Sequence, residues 1–160
     1  MGVAGSGKST VAAALASRWE AEFQDGDAMH PASNIDKMRR GVALTDADRV
    51  PWLDAVGAWL GEGETRRVTA CSSLRKAYRE QLRSLCPGVV FLYLDVSQET
   101  ARSRLLARTG HFMPASLVGT QFATLERPAA EPHVVWVDAN ADTPAVVAAA
   151  VEAVRTMSEP

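Results

Sequence analysis

The sequence predicts an α/β domain built on a doubly wound parallel sheet with helices on both faces. Three observations carry this. Short apolar runs alternate along the chain with segments of helical spacing, the pattern of a parallel sheet with crossover helices. One run, Val89 to Leu94, is continuously apolar, as a strand covered on both faces must be. Residues 2–9, Gly2-Val3-Ala4-Gly5-Ser6-Gly7-Lys8-Ser9, match the pattern G-x-x-x-x-G-K-[ST], a phosphate-wrapping loop that joins a buried strand to a helix. A single domain of the P-loop NTPase type is therefore expected over residues 1–160, with a mobile lid at about 108–120.

The loop comes first. Its glycines remove Cβ atoms that would keep the backbone from closing round a β-phosphate. Several backbone N–H groups then converge on one anion at a helix N-terminus, where the helix dipole also favours negative charge. Lys8 is placed to reach the β- and γ-phosphates, and Ser9 to ligate Mg²⁺. The motif also predicts a central strand before Gly2, and only Met1 stands there. Losing about five buried apolar residues would cost on the order of 8–15 kcal/mol, comparable to the roughly 5–15 kcal/mol stability of a whole domain. It would also leave ladder groups unpaired on both neighbouring strands. The natural protein is accordingly expected to start upstream, with Met1 a misplaced or internal start.

The remaining elements follow in order. Val11, Leu15 and Trp19 recur at helical spacing among alanines, giving the first helix. Ala21 to Gln24 reads as a strand ending in Asp25-Gly26-Asp27, and Asn34 to Arg40 as a helix stopped by Gly41. Thr45 and Asp48 have capping-box spacing for a short helix, and Pro51 restarts a second carrying Leu53, Val56 and Leu60. Gly61 and Gly63 end it. Arg67 to Cys71 is a strand, followed by a helix with Tyr78, Leu82 and Leu85 inward. After the Val89–Leu94 strand, Ser97 caps a helix to about Arg108, and a loop from Gly110 to Gly119 leads into another short helix. Val134 to Val137 is the last strand, and Val147, Val151 and Val154 line a closing helix.

Composition excludes several classes. Seventeen Lys and Arg against nineteen Asp and Glu leave a net charge of −2, which argues against a nucleic-acid-binding surface. No apolar run reaches the roughly 18 residues of a membrane span. Cys71 and Cys86 make neither a metal framework nor a disulfide framework, so a reducing cytoplasm is the default expectation.

Ligands of such a sheet bind at the carboxyl ends of the strands, where Asp27, Ser72 and Asp138 fall. Of the Asp25-Gly26-Asp27 carboxylates, one can hold a water of the Mg²⁺ shell and the other can accept a proton from an attacking hydroxyl. Asp-Gly is equally common turn chemistry. Arg49 could clamp a substrate carboxylate with its fork, although Asp46, Asp48 and Asp54 also offer it surface ion pairs. Arg75, Arg79 and Arg83 form an i, i+4, i+8 stripe, and a solvated face is the expected reading for Arg83. Arg102, Arg104 and Arg108 precede the loop with His111 and Phe112; two of the three are expected to be solvated. Asp95 imitates a Mg²⁺-binding strand end but is read as a plain strand terminus before the Ser97 cap.

Together the segments GVAGSGKST (2–10), DGDAMHPASNIDK (25–37), LTDADRVPWL (44–53), CSSLRKAYR (71–79), RLLARTGHFM (104–113) and QFATLE (121–126) resemble the bacterial-type gluconate kinases. These are small P-loop kinases similar in fold to shikimate and adenylate kinases. The resemblance covers nearly the whole chain and implies ATP-dependent phosphorylation of D-gluconate in the presence of Mg²⁺. By it, Gly2, Ala4, Gly5, Ser6, Gly7, Lys8, Ser9, Thr10 and Arg104 would serve ATP. Ser9, and Asp25 through water, would hold the metal. Asp27 would orient gluconate and act as base on its 6-hydroxyl. Arg49 would hold the carboxylate, with His30, Ser72, Arg75 and the lid residue His111 completing the pocket, and Arg108 would join Lys8 and Asp27 in catalysis. A homodimer is compatible with the resemblance. Where the family usually reads C-S-A-L-K, this chain has Cys71-Ser72-Ser73-Leu74-Arg75, so a planar fork replaces a point charge. Two alternatives stay open: a related kinase of another sugar acid or of shikimate, and an N-terminally truncated, inactive nucleotide-binding fragment.

Overall fold

The computed structural model describes residues 1–107 and 117–158, so the core of the expected lid, with Arg108 and His111, lies outside the described residues. Along the chain run α1 (Lys8–Arg18), β1 (Glu22–Asp25), a 3₁₀ turn (Gly26–Met29), α2 (Ala32–Arg39), α3 (Asp46–Gly61) and β2 (Arg67–Ala70). They are followed by α4 (Lys76–Leu85), β3 (Phe91–Asp95), α5 (Gln98–Leu106), α6 (Leu117–Thr124), β4 (Val134–Asp138) and α7 (Thr143–Ser158). The alternation produces parallel pairing throughout: β1 with β2 from Glu22↔Arg67 to Asp25↔Ala70, and β3 with β4 from Phe91↔Val134 to Asp95↔Asp138.

Two buried clusters cover the sheet, as a doubly wound fold requires. One gathers Val11 and Leu15 of α1, Leu94 of β3, Val137 of β4, and Val146 and Ala150 of α7. The other packs Trp52, Leu53 and Val56 of α3 against Tyr78 and Leu82 of α4 and Phe91 of β3. No helix among the described residues is long and apolar enough to cross a membrane.

Strands β2 and β3 do not pair with each other, and the four strands form two separate parallel ribbons. Met1 and Gly2 lie between them: the Leu94 N–H donates to Met1 O at 3.0 Å, the Met1 N–H to Leu92 O, and the Gly2 N–H to Ser72 O at 3.1 Å. Behind Met1 a cavity of about 700 Å³ runs between the ribbons, lined by Leu15, Val68, Leu82, Phe91 and Leu94 among others.

Four expectations need correction. Pro51 does not separate two helices but sits inside the continuous α3. Its missing N–H removes one hydrogen bond. The helix runs through because both halves of the Thr45–Asp48 capping box are made and Trp52, Leu53 and Val56 are buried just beyond. Leu85 is not inward but 40% exposed, because it closes α4 at the rim, with its side chain over Gly57. Arg83 is no solvated residue: its guanidinium pairs with Glu131 at 3.0 Å and lies over the Phe91 ring. The loop expected up to Gly119 is already helical from Leu117.

Arg79, from the same stripe, is fully buried. Its guanidinium makes a forked pair with Glu131, at 2.9 Å to Oε2 and 2.5 Å to Oε1, and donates to Ser73 O and Glu126 O. One side chain thereby ties the turn after β2 to the segment between α6 and β4.

Candidate active site

The phosphate loop enters α1 through Gly7 in the left-handed conformation (φ 95°), and no side chain caps the helix. A helix start without a side-chain cap is the arrangement that receives a phosphate. At Gly5 (φ 80°) a Cβ would stand 2.3 Å from Ala101 O, so α5 packs directly on the loop and only glycine fits. Ser6 is buried, and its hydroxyl has no hydrogen-bond partner among the described residues. The Ala4 N–H, by contrast, is already taken by Gln121 Oε1 of α6 at 2.6 Å. The Lys8 ammonium folds back onto Val3 O at 2.9 Å, a loop carbonyl within reach of the phosphates it would serve.

Strand β1 carries the acidic side of the site to this loop. Ser9 Oγ donates to Asp25 Oδ2 at 2.7 Å, so the two groups expected around Mg²⁺ are in contact. No cluster of three or more His, Cys, Asp or Glu side chains forms among the described residues. The Ser9 and Asp25 oxygens suit Mg²⁺, which keeps several waters and takes one or two protein oxygens plus substrate phosphates. The other Asp25 oxygen accepts from the Asp27 N–H at 3.1 Å, fixing the 3₁₀ turn that presents Asp27, exposed, at the carboxyl end of β1. Gly26 is required there, because a Cβ would meet Ala70 O at 2.6 Å.

A cationic corner lies on α3 and α4. Asp46 Oδ2 accepts from Arg75 Nη1 at 2.6 Å, Asp46 Oδ1 accepts from the Tyr78 hydroxyl, and Arg49 Nη1 stands 3.9 Å from Asp46. The Arg49 guanidinium also donates to Leu44 O and lies over the Tyr78 ring at 5.7 Å. Burial and the Asp46 hydrogen bond both push the Tyr78 hydroxyl pKa up, so it remains a donor. Two guanidinium forks held by one carboxylate make a socket suited to an anionic group.

His30 is buried beside this corner and stacks on Trp52 with ring centroids 4.1 Å apart. Burial first, then the Arg49 charge, lowers its pKa from 6.5 to about 4. It is therefore neutral near pH 7. The sign for stability follows: between about pH 6.5 and 4 the unfolded chain binds a proton here that the folded one refuses, so stability falls as pH drops through that window. The expected slope approaches about 1.4 kcal/mol per pH unit. Urea unfolding at several pH values should show this loss, and His30→Gln should flatten it. Asp48, held down to about 2 first by its hydrogen bond from Lys37 and then by Thr45, acts only at still lower pH.

The structure thus brings together the loop with Asp25 and Asp27, and Arg49 with Arg75; Ser72 meets the loop through its carbonyl. Arg104 stands apart on α5, donating to Ala141 O beside Asn140 and Asp142, on the side of the loop where α5 packs. Asp95 pairs with Arg127 and takes no part. Sequence reasoning assigned no role to Gln121, Asn34 or Trp52, and gave Asp46 only a surface ion pair with Arg49. Each lies in a segment singled out above, but each acts by a contact over a distance in sequence, which spacing does not display.

A phosphate loop with an uncapped helix start, a Ser–Asp pair beside it and an exposed carboxylate two residues on define a P-loop kinase. No family model matches the chain. It is 48% identical over 147 residues to the thermosensitive gluconokinase of Escherichia coli K12, covering 89% of this chain and 78% of that protein. The thermoresistant gluconokinase of the same organism is 43% identical over 159 residues, 97% of this chain and 91% of that one. The crystal structure of a gluconokinase from Sinorhizobium meliloti 1021 superposes with a TM-score of 0.92 at 43% identity, covering 99% of this chain and 90% of that chain. The chain belongs to the gluconokinase family. An APS kinase from Mycobacterium tuberculosis, at 19% identity and a TM-score of 0.68, shares the fold.

Proposed function

We propose that the protein transfers the γ-phosphoryl group of ATP to the 6-hydroxyl of D-gluconate, giving 6-phosphogluconate and ADP. The observation that supports this most directly is the Ser9–Asp25 contact at the phosphate loop with Asp27 two residues on, in a chain of the gluconokinase family. The loop N–H groups and Lys8 bind the phosphates. Ser9 and Asp25 would hold Mg²⁺, which when bound neutralises charge on the β- and γ-oxygens. Asp27 accepts the proton of the 6-hydroxyl as that oxygen bonds to the γ-phosphorus and the bond to the β-phosphate oxygen breaks. Arg49 and Arg75 receive the gluconate carboxylate in exchange for Asp46, and neutral His30 and Ser72 shape the polyol pocket. Arg104 serves the nucleotide from α5.

A coupled ADP-release assay tests the reading, with gluconate, other sugar acids and shikimate as acceptors. Gluconate should support the highest kcat/KM, with ADP release dependent on both the acceptor and Mg²⁺. Preferential use of shikimate, or ADP release no faster than without acceptor, would refute it.

A further inference from the structure

The carboxylate at Asp27 can act only if the turn that carries it is held in place, and one side chain of α3 holds it. Trp52 is 2% exposed, and its indole N–H donates to Gly26 O at 2.7 Å, across the peptide group that leads into Asp27. The opposite resource of the same ring, its face, lies against His30 at an interplanar angle of 17°. His30 is held from the other side as well. The Asp48 carbonyl can only accept, so at 2.7 Å it fixes the Asn34 amide with its NH₂ group inward. The second N–H of that group then points at His30 Nδ1, 3.3 Å away, which must accept. The imidazole is thereby set as the tautomer that carries its proton on Nε2. Asn34 is itself 2% exposed, so water does not compete for these bonds.

We propose that Trp52 is a positioning residue for phosphoryl transfer: its N–H sets the Asp27 turn, and its ring face sets His30, in the Nε2–H tautomer, as a hydrogen-bond donor to a hydroxyl of the acceptor. The inference rests on the reading of Asp27 as the base and deepens it. A displacement of the base by about 1 Å costs on the order of 100-fold in rate. The ring's volume fills the core whether or not its N–H is present, so an isostere without the N–H keeps the packing.

The test separates these two. Site-specific replacement of Trp52 by benzothienylalanine keeps shape and stacking but puts sulfur in place of the N–H group. The expected result is a 10- to 100-fold fall in kcat with gluconate, with KM for ATP nearly unchanged and the protein still cooperatively folded at a modestly lower melting temperature. A kcat within twofold of wild type overturns the proposal. Nitrogen NMR of His30 at pH 7 gives a second, independent readout: a neutral ring protonated at Nε2 is expected, and a ring protonated at Nδ1 or at both nitrogens overturns it. Asp27→Asn run alongside distinguishes the failures. If it retains wild-type turnover, the base reading is wrong; if it is inactive while the isostere is normal, only the role of Trp52 is wrong.

Discussion

Asp27→Asn should lower kcat for gluconate by a factor of roughly 10²–10⁴, the range that a positioned general base contributes. ATP affinity should stay within about twofold. The asymmetry comes from what holds the turn. Asp27 is anchored through its backbone, by the bond from its N–H to Asp25 and by the Trp52 bond to the preceding carbonyl. Exchanging one carboxylate oxygen for an amide nitrogen leaves those anchors in place and removes the proton acceptor. The proposed nucleotide contacts are other groups, the loop amides and Lys8, so an ATP titration of the variant should resemble that of the wild type. Turnover at the wild-type rate would dismiss Asp27 as the base. Asp25→Asn should differ in kind, raising the Mg²⁺ concentration needed for half-maximal rate, because Asp25 contacts Ser9.

Arg79→Leu should destabilise the fold by about 3–5 kcal/mol, the usual consequence of breaking a buried ion pair from one side. The Glu131 carboxyl, 8% exposed, is held below the usual carboxylate range chiefly by its Arg79 hydrogen bonds, helped by Arg83. Without Arg79 it would remain buried against Arg83 alone, and the Ser73 and Glu126 carbonyls would lose their donor. Removing both charges together, as Arg79→Leu with Glu131→Leu, should recover part of the loss, because the desolvation cost of the carboxylate disappears with it. Urea unfolding of the wild type, the single variant and the double variant decides the matter. A single-variant loss below about 1 kcal/mol would show that the fork is not what ties these segments.

Much of the fold was legible because it depends on local signals. Turn chemistry, capping spacing and apolar runs placed all four strands within a residue or two, and the Thr45–Asp48 box formed with both its bonds. The phosphate loop and the Asp25–Asp27 turn were legible for the same reason: their chemistry is contained in a few consecutive residues. The misreadings have a common physical origin. Arg83 looks like a solvated charge on a helix until Glu131, 48 positions away, is folded against it. Pro51 looks like a break until the burial of Trp52 and Leu53 outweighs one missing hydrogen bond. Trp52 gave no hint of its role, since its partners Gly26 and His30 lie more than twenty residues earlier.

The Arg79 fork carries a consequence for how the two reactants are aligned. The groups proposed for the acceptor, Asp27, His30, Arg49 and Arg75, are mounted on the β1–β2 ribbon and the segments beside it. Arg104 and the Ala139–Asp142 turn, proposed for the nucleotide side, are mounted beside the β3–β4 ribbon. Arg79 of α4 is bonded to Ser73, just after β2, and to Glu131, just before β4, so it clamps one mount to the other. Loosening that clamp would turn donor and acceptor relative to each other before either of their own pockets comes apart.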